Sequence, residues 1–135
     1  MNEPEVLRAM LSAKKVAVIG VSDNPAKPSN YVSRYLQQAG CRVLPVNPTL
    51  ETVLGEKSYP SLTELVAAEG KPELVDVFRL PNAIPAIVDE MLALGLENLW
   101  VQQGIVNLDA AQKAEQGGIR VVMDHCLMVE HRRGM

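Results

Sequence analysis

The residues able to do chemistry fall in clusters, each directly after a short apolar run. The first cluster is Gly20-Val21-Ser22-Asp23-Asn24-Pro25-Ala26-Lys27-Pro28-Ser29. A glycine in such a place lets a second backbone or a ligand approach closely. Ser22 and Asn24 offer hydrogen bonds and Lys27 a positive charge. Ser29 is suited to cap a following helix, whose first amides and dipole favour an anion. The segment reads either as a cradle for a diphosphate or as a Pro-rich connection with a solvated lysine. The second cluster is Val46-Asn47-Pro48 and the third is Phe78-Arg79-Leu80-Pro81-Asn82. Arg79 is of the type that meets phosphate through charge-assisted hydrogen bonds. Phe78, Leu80 and Pro81 can wall an adenine, or Arg79 is a surface residue beside core neighbours. The fourth cluster, Trp100-Val101-Gln102-Gln103-Gly104, sets two amide side chains together, suited to a base or a ligand amide. The fifth is Asp124-His125-Cys126, followed by Glu130-His131.

Several familiar chemistries do not match these clusters. The dinucleotide fingerprint G-x-G-x-x-G needs three glycines where this loop has Gly20 alone. The second apolar run ends in Asn47 without an Asp or Glu to hold a ribose 2′-hydroxyl, which disfavours NAD. No G-x-x-x-x-G-K-[ST] occurs, Asn24 replaces the second glycine of a nucleophile elbow, and Gly20 stands where a phosphoacceptor domain has acids. No metal site is expected. On a helix, His125 and His131 would face away from each other, and Cys126 with Glu130 makes only two ligands. No nucleophile, base and orienting group come together, so no catalytic residues are assigned and the chain is read as a binder rather than an enzyme.

The apolar runs that hold these clusters are Val16–Ile19, Val43–Val46, Leu74–Phe78, Leu99–Val101 and Val121–Met123. They are β-rich and do not alternate, the pattern of strands buried on both faces of a parallel sheet. Helical stripes lie between them. Tyr31, Val32, Tyr35, Leu36 and Ala39 precede Gly40. Ile84, Ile87, Val88, Met91 and Leu92 run from an Asn82 cap to Gly95. Leu108–Gln116 ends at Gly117-Gly118, and Ser61 with Glu64 forms a capping box for Leu62–Ala68. Met1–Ala13 reads as an amphipathic helix, and Asn47–Tyr59 as a long irregular connection. The expected fold is one doubly wound, Rossmann-like α/β domain over residues 1–135. It has a five-stranded parallel sheet in the order 3-2-1-4-5 with helices on both faces. Ligands of such sheets bind beyond the strand C-termini at the switch point, here between strands 1 and 4, which is where the five clusters fall.

Composition agrees with a globular binder of a small molecule. Of the 135 residues, 47% are apolar and 21% charged, enough apolar content for a core. Thirteen Lys and Arg against 16 Asp and Glu leave a net charge of −3, which argues against an electrostatic nucleic-acid binder. Any anionic ligand must then be met by local cations or backbone amides. No apolar run approaches the roughly 18 residues of a membrane span, and the N-terminus lacks the basic start of a signal peptide. A cytoplasmic protein is expected. Cys41 and Cys126 are too few and too distant for a disulfide framework.

Taken in order, several blocks resemble the small stand-alone coenzyme A-binding domain proteins. That family is Rossmann-type and related to the N-terminal domain of the succinyl-CoA synthetase α subunit. The blocks are Val16–Ser22 with Pro25-x-Lys27-Pro28-Ser29, Val46-Asn47-Pro48, Gly55 with Tyr59–Leu62, Val75–Arg79, Trp100–Ile105 and Val121–Cys126. The resemblance implies CoA as cofactor. It implies that Gly20, Val21, Ser22, Asn24, Lys27 and Pro28 belong to the phosphate loop. Asn47 and Pro48, with Phe78, Arg79, Leu80 and Pro81, would flank the adenosine. Gln102 and Gln103 would lie along the pantetheine. Many relatives carry a basic residue directly after the Asn-Pro pair, where this chain has Thr49. Lys27, Arg79 or Lys57 is left to meet the 3′-phosphate. The second domain that carries the phosphohistidine of the synthetases is missing, so the resemblance implies binding and not ligation. Three functions follow: a non-catalytic binder of CoA or acyl-CoA, a component of an acyl-CoA synthetase-type enzyme that needs a partner, or a binder of NAD or another adenine nucleotide. Cys126 follows the fifth strand, at the ligand edge, and is either a small packed residue or a thiol within reach of the CoA sulfur.

Overall fold

The computed structural model describes residues 1–134. Five parallel strands form the sheet: β1 (Lys15–Ile19), β2 (Arg42–Val46), β5 (Leu74–Val77), β6 (Asn98–Val101) and β7 (Arg120–Met123). The short β3 (Thr52–Val53) and β4 (Glu56–Lys57) make a separate hairpin. The helices are α1 (Pro4–Leu11), α2 (Pro28–Gln38), α3 (Leu62–Glu69), α4 (Ile84–Leu94), α5 (Leu108–Gln116) and α6 (Leu127–Arg133). A 3-10 turn, Pro81–Ala83, leads into α4.

Both faces of the sheet are covered, which is why its strands read as unbroken apolar runs. Ala17, Leu44, Val75, Leu99 and Val121 face α3, α4 and α5, whose Leu65, Val88, Met91 and Ala114 close that layer. Val16, Val18, Val43, Leu74, Trp100 and Val122 face α1, α2 and α6 through Met10, Val32, Leu36 and Leu127. One residue breaks the pattern. Asp76 of β5 sits in register with Val18 and Trp100, is wholly buried, and has no hydrogen-bond partner on either carboxylate oxygen.

The strands run β2-β1-β5-β6-β7. Tyr59 forms one further parallel bridge on the free side of β2, with the Asn47 N–H donating to its carbonyl at 2.9 Å and its own N–H to the Pro45 carbonyl at 3.0 Å. Counting that segment as the third parallel element, the order is the expected 3-2-1-4-5, continued by β7. The identity of the third element is the correction. Leu74–Val77, third among the apolar runs, is fourth in this count and lies against β1, because Tyr59 already occupies the outer flank of β2. The switch point therefore falls between β1 and β5, directly above Gly20 and Arg79.

Other local expectations meet the structure unevenly. Ser61 Oγ accepts the Glu64 N–H at 3.2 Å, as a capping box requires, and Gly95 ends α4 in the left-handed conformation. The N-terminal helix starts only at Pro4. Asn2 instead runs along β7, its side chain exchanging two hydrogen bonds with the Met123 backbone. The cap of α4 is Ala83, one residue beyond Asn82, because Pro81–Ala83 closes a 3-10 turn first. The connection Asn47–Tyr59 is less irregular than expected. Leu54 and Gly55 both take positive φ, 56° and 76°, the backbone of a tight hairpin turn between β3 and β4.

Candidate functional site

At the C-terminal ends of β1, β5 and β6 lies a cleft of about 540 Å³, bounded by the starts of α2 and α6. Gly20, Phe78 and Gln102 come from the strand ends; Ser22 and Lys27 come from the loop into α2, and Pro28 is the first residue of that helix. Arg79, Leu80, Gln103 and Ile105 come from the loops after β5 and β6, and Cys126 from the start of α6. A smaller hollow of about 240 Å³, with Val46, Pro48, Pro60 and Ile87 in its walls, opens on the other side of Arg79, which lines both.

Gly20 makes the floor possible. Its φ is +85°, and a Cβ there would lie 2.9 Å from Arg79 Cδ and closer still to the Phe78 carbonyl oxygen. Only glycine lets β1 and β5 end this near each other in that conformation.

The electrostatics favour an anion. Lys27 and Arg79 are exposed and form no ion pair among the described residues. No acidic side chain lines the large cleft. The smaller hollow holds Glu90, whose Oε2 accepts from the Thr63 N–H at 2.9 Å and its hydroxyl at 2.8 Å.

The loop into α2 is held largely by its own contacts. Ser29 does not cap α2, which begins after Lys27; its Oγ accepts the Ser22 N–H at 2.9 Å. Ser22 Oγ accepts the Asn24 N–H at 3.0 Å, and Asn24 Oδ1 the Ala26 N–H at 3.0 Å. The Ser22, Asn24 and Ala26 amides of this loop are thus already occupied. Lys27 and Arg79 stand out as the charged donors of the cleft.

Gln102 is almost wholly buried, yet it lines the cleft. Its Oε1 accepts the Leu127 N–H at 3.2 Å, and its Nε2 donates to no group among the described residues. The amide is therefore oriented as a donor toward the cleft. The loop around it is pinned on two further sides. Trp100 Nε1 donates to the His125 carbonyl at 2.9 Å, and Asp124 Oδ1, on a residue with φ of 65°, accepts the Gly104 N–H at 2.7 Å.

The structure brings together Gly20, Ser22, Lys27, Pro28, Phe78, Arg79, Leu80, Gln102 and Gln103. It leaves five expected residues outside this cleft. Val21 is buried, and its carbonyl accepts from Asn47 Nδ2 at 2.8 Å. Asn47 Oδ1 accepts from both the backbone and the hydroxyl of Thr49, so Asn47 locks its own turn. Asn24 does the same in the first loop. Pro48 lies in the smaller hollow, and Pro81 gives its carbonyl to Asn107 Nδ2. Tyr31, Val32 and Ile105 line the cleft although the sequence reading leaves them out. Tyr31 and Val32 read there as part of a helical core stripe, and nothing local marks them as site residues. His125 pairs with Glu130 at 3.2 Å instead of entering the cleft. Among the described residues no three His, Cys, Asp or Glu side chains gather as metal ligands.

A doubly wound parallel sheet with a cationic, partly apolar cleft at its switch point defines a Rossmann-like α/β domain. The chain belongs to the CoA binding domain family, whose model matches residues 14–132. It is 37% identical over 130 residues to the uncharacterized protein YneT of Bacillus subtilis, covering 96% of this chain and 94% of that one. It is also 37% identical over 114 residues to the ADP-forming acetate–CoA ligase II of Archaeoglobus fulgidus, but spans only 16% of that protein. Among solved structures, a cell-free-expressed protein from Thermus thermophilus matches with a TM-score of 0.87 and 41% identity over 98% of this chain and 99% of its own. A hypothetical protein from Pyrococcus horikoshii matches with a TM-score of 0.88 and 36% identity over 97% and 91%. No helix among the described residues is long and apolar enough to cross a membrane.

Proposed function

We propose that this chain binds coenzyme A or an acyl-CoA across the C-terminal edge of its sheet, as a carrier, sensor or regulatory module without turnover of its own. The observation that carries the reading is the pair Lys27 and Arg79, two unpaired cations at a cleft without acids. Phosphates between them form charge-assisted hydrogen bonds. The Pro48–Pro60 hollow beyond Arg79 suits the adenosine, and the free Nε2 of Gln102 suits a pantetheine carbonyl on the other side. An acid that would hold a ribose 2′-hydroxyl is missing after β2. In CoA the 3′-phosphate would be repelled by one, so CoA is favoured over NAD. The binding-only reading is supported by the lining itself, which holds no carboxylate or imidazole beside Ser22, Ser29 or Cys126. Calorimetric titration of the purified chain with CoA and with NAD tests the proposal. Tighter binding of CoA is expected; tighter binding of NAD overturns it.

A second reading has one observation in its favour. Leu80 and Val106, on two loops, and Leu108, the first residue of α5, are exposed apolar side chains, and the hydrogen bond from Asn107 to Pro81 ties these segments together. Such a rim suits a partner chain that completes a synthetase-type active site, in keeping with the likeness to acetate–CoA ligases.

A further inference from the structure

Cys126 lines the same cleft as Gln102, and it is a free, partly exposed thiol. The two are fixed relative to each other, because the Gln102 carboxamide holds the N–H of Leu127, the residue directly after Cys126. The carboxamide spends its oxygen on that bond, so its Nε2 is left unpartnered in a side chain that is only 4% exposed. The residue lines the cleft, so this donor is open to an acceptor on a ligand there. An acceptor placed on Nε2 would share one cleft with the Cys126 sulfur. The other cysteine has no such setting. Cys41 is buried before β2, at the opposite edge of the sheet, with its thiol directed to the Ala13 carbonyl.

We infer that Cys126 is a thiol–disulfide exchange site for disulfides of coenzyme A, with Gln102 positioning the pantetheine arm; this rests on the CoA reading above. The Cys126 thiolate attacks one sulfur of the CoA disulfide after its proton passes to water. The bond between the two CoA sulfurs breaks as the Cys126–CoA bond forms. The second CoA leaves as a thiolate and takes a proton from solvent. One disulfide replaces another, so no further oxidant is consumed. The outcome is a tethered CoA that leaves again when a thiol reduces the bond.

Intact mass spectrometry of the full chain tests this. The chain is incubated with CoA disulfide and, separately, with oxidised glutathione at equal concentration. One CoA-sized adduct is expected, removed by reductant, lost in Cys126→Ser and kept in Cys41→Ser. It should form about tenfold faster than the glutathione adduct and more slowly in Gln102→Leu, because recognition raises the local concentration of the reacting sulfur. No adduct, an adduct only on Cys41, or equal rates with both disulfides overturns the inference. Calorimetry with reduced CoA on wild type and on Cys126→Ser separates the two levels. CoA binding without an adduct removes the exchange site alone; no CoA binding to either protein removes the functional reading beneath it.

Discussion

Gln102 Oε1 accepts the backbone N–H of Leu127 at 3.2 Å, joining the end of β6 to the start of α6 across 25 residues of sequence. The bond does two things. It satisfies an amide at the first turn of a short helix, and it turns the remaining half of the carboxamide toward the cleft. A residue that reads in the sequence as half of a Gln-Gln pair is thereby a structural tie whose free amide group faces the cleft. Gln103, beside it, is exposed and makes no such bond.

Lys27 and Arg79 supply the charge of the site. Lys27→Ala and Arg79→Ala are each expected to weaken CoA by about tenfold, the lower end of what a charge-assisted hydrogen bond provides, since both side chains are solvated. Melting of the ligand-free protein should not change, because neither makes an ion pair among the described residues. Affinity should also fall with added salt. If calorimetry gives wild-type affinity for both variants, the phosphates are held by backbone amides instead.

Gly20→Ala is expected to damage the fold rather than the ligand contacts. The added methyl meets the Phe78 carbonyl, and alanine takes a positive φ only with strain. Together these should cost on the order of 1–3 kcal/mol or more. Urea denaturation reads it directly, and an unchanged midpoint would show that β1 and β5 can part without loss.

Asp76 sets a pH dependence. Burial raises its carboxyl well above the ordinary value of 3.8, and the neighbouring Val77 backbone only partly offsets this without meeting either oxygen in a hydrogen bond. The folded state thus binds a proton more tightly than the unfolded chain. Its contribution is greatest below the unfolded pKa, and it is lost as pH rises from there through the raised folded value. In urea titrations across that range, wild type should lose stability relative to Asp76→Asn, whose side chain stays neutral. Parallel profiles for the two proteins would mean that Asp76 is not protonated in the fold. Asp76→Leu removes the two unpartnered oxygens and should be more stable than wild type at neutral pH.

The isolated chain is expected to show no ligase or thioesterase turnover. Ser22 and Ser29 spend their hydroxyls as acceptors for loop amides, and no base lines the cleft beside Cys126. A panel of acyl-CoA thioesters, and of acid with nucleotide and CoA, measures this. Turnover that persists through repurification and vanishes with one substitution would contradict it.

Much of the architecture was legible because its signals are local. Strands buried on both faces must be apolar along their whole length, so the five runs were visible without a structure. Ser61 with Glu64 and the glycine at 95 marked helix ends, because capping and left-handed backbone need particular side chains within a few residues. The site could be placed at the strand ends for the same reason: a doubly wound sheet has one ligand edge. Lys27, Arg79 and Gln102 stood there in the chain.

Tertiary structure alone decided who meets whom. Tyr59 takes the flank of β2 through two backbone hydrogen bonds, which no side-chain pattern announces, and that sets Leu74–Val77 beside β1. Asn24 and Asn47 carry the right groups for a ligand but spend them on their own turns and on Val21. Whether a polar side chain is free depends on partners brought close by folding. Tyr31 and Val32 sit on a helical stripe that reads as core, and only the approach of α2 to the strand ends opens them to the cleft. Cys126 and Gln102 are 24 residues apart in sequence, and packing alone makes them neighbours. The residue types and their order along the chain determined the edge at which a ligand is met; the long-range contacts determined which of those residues have a hydrogen bond or a charge left to give it.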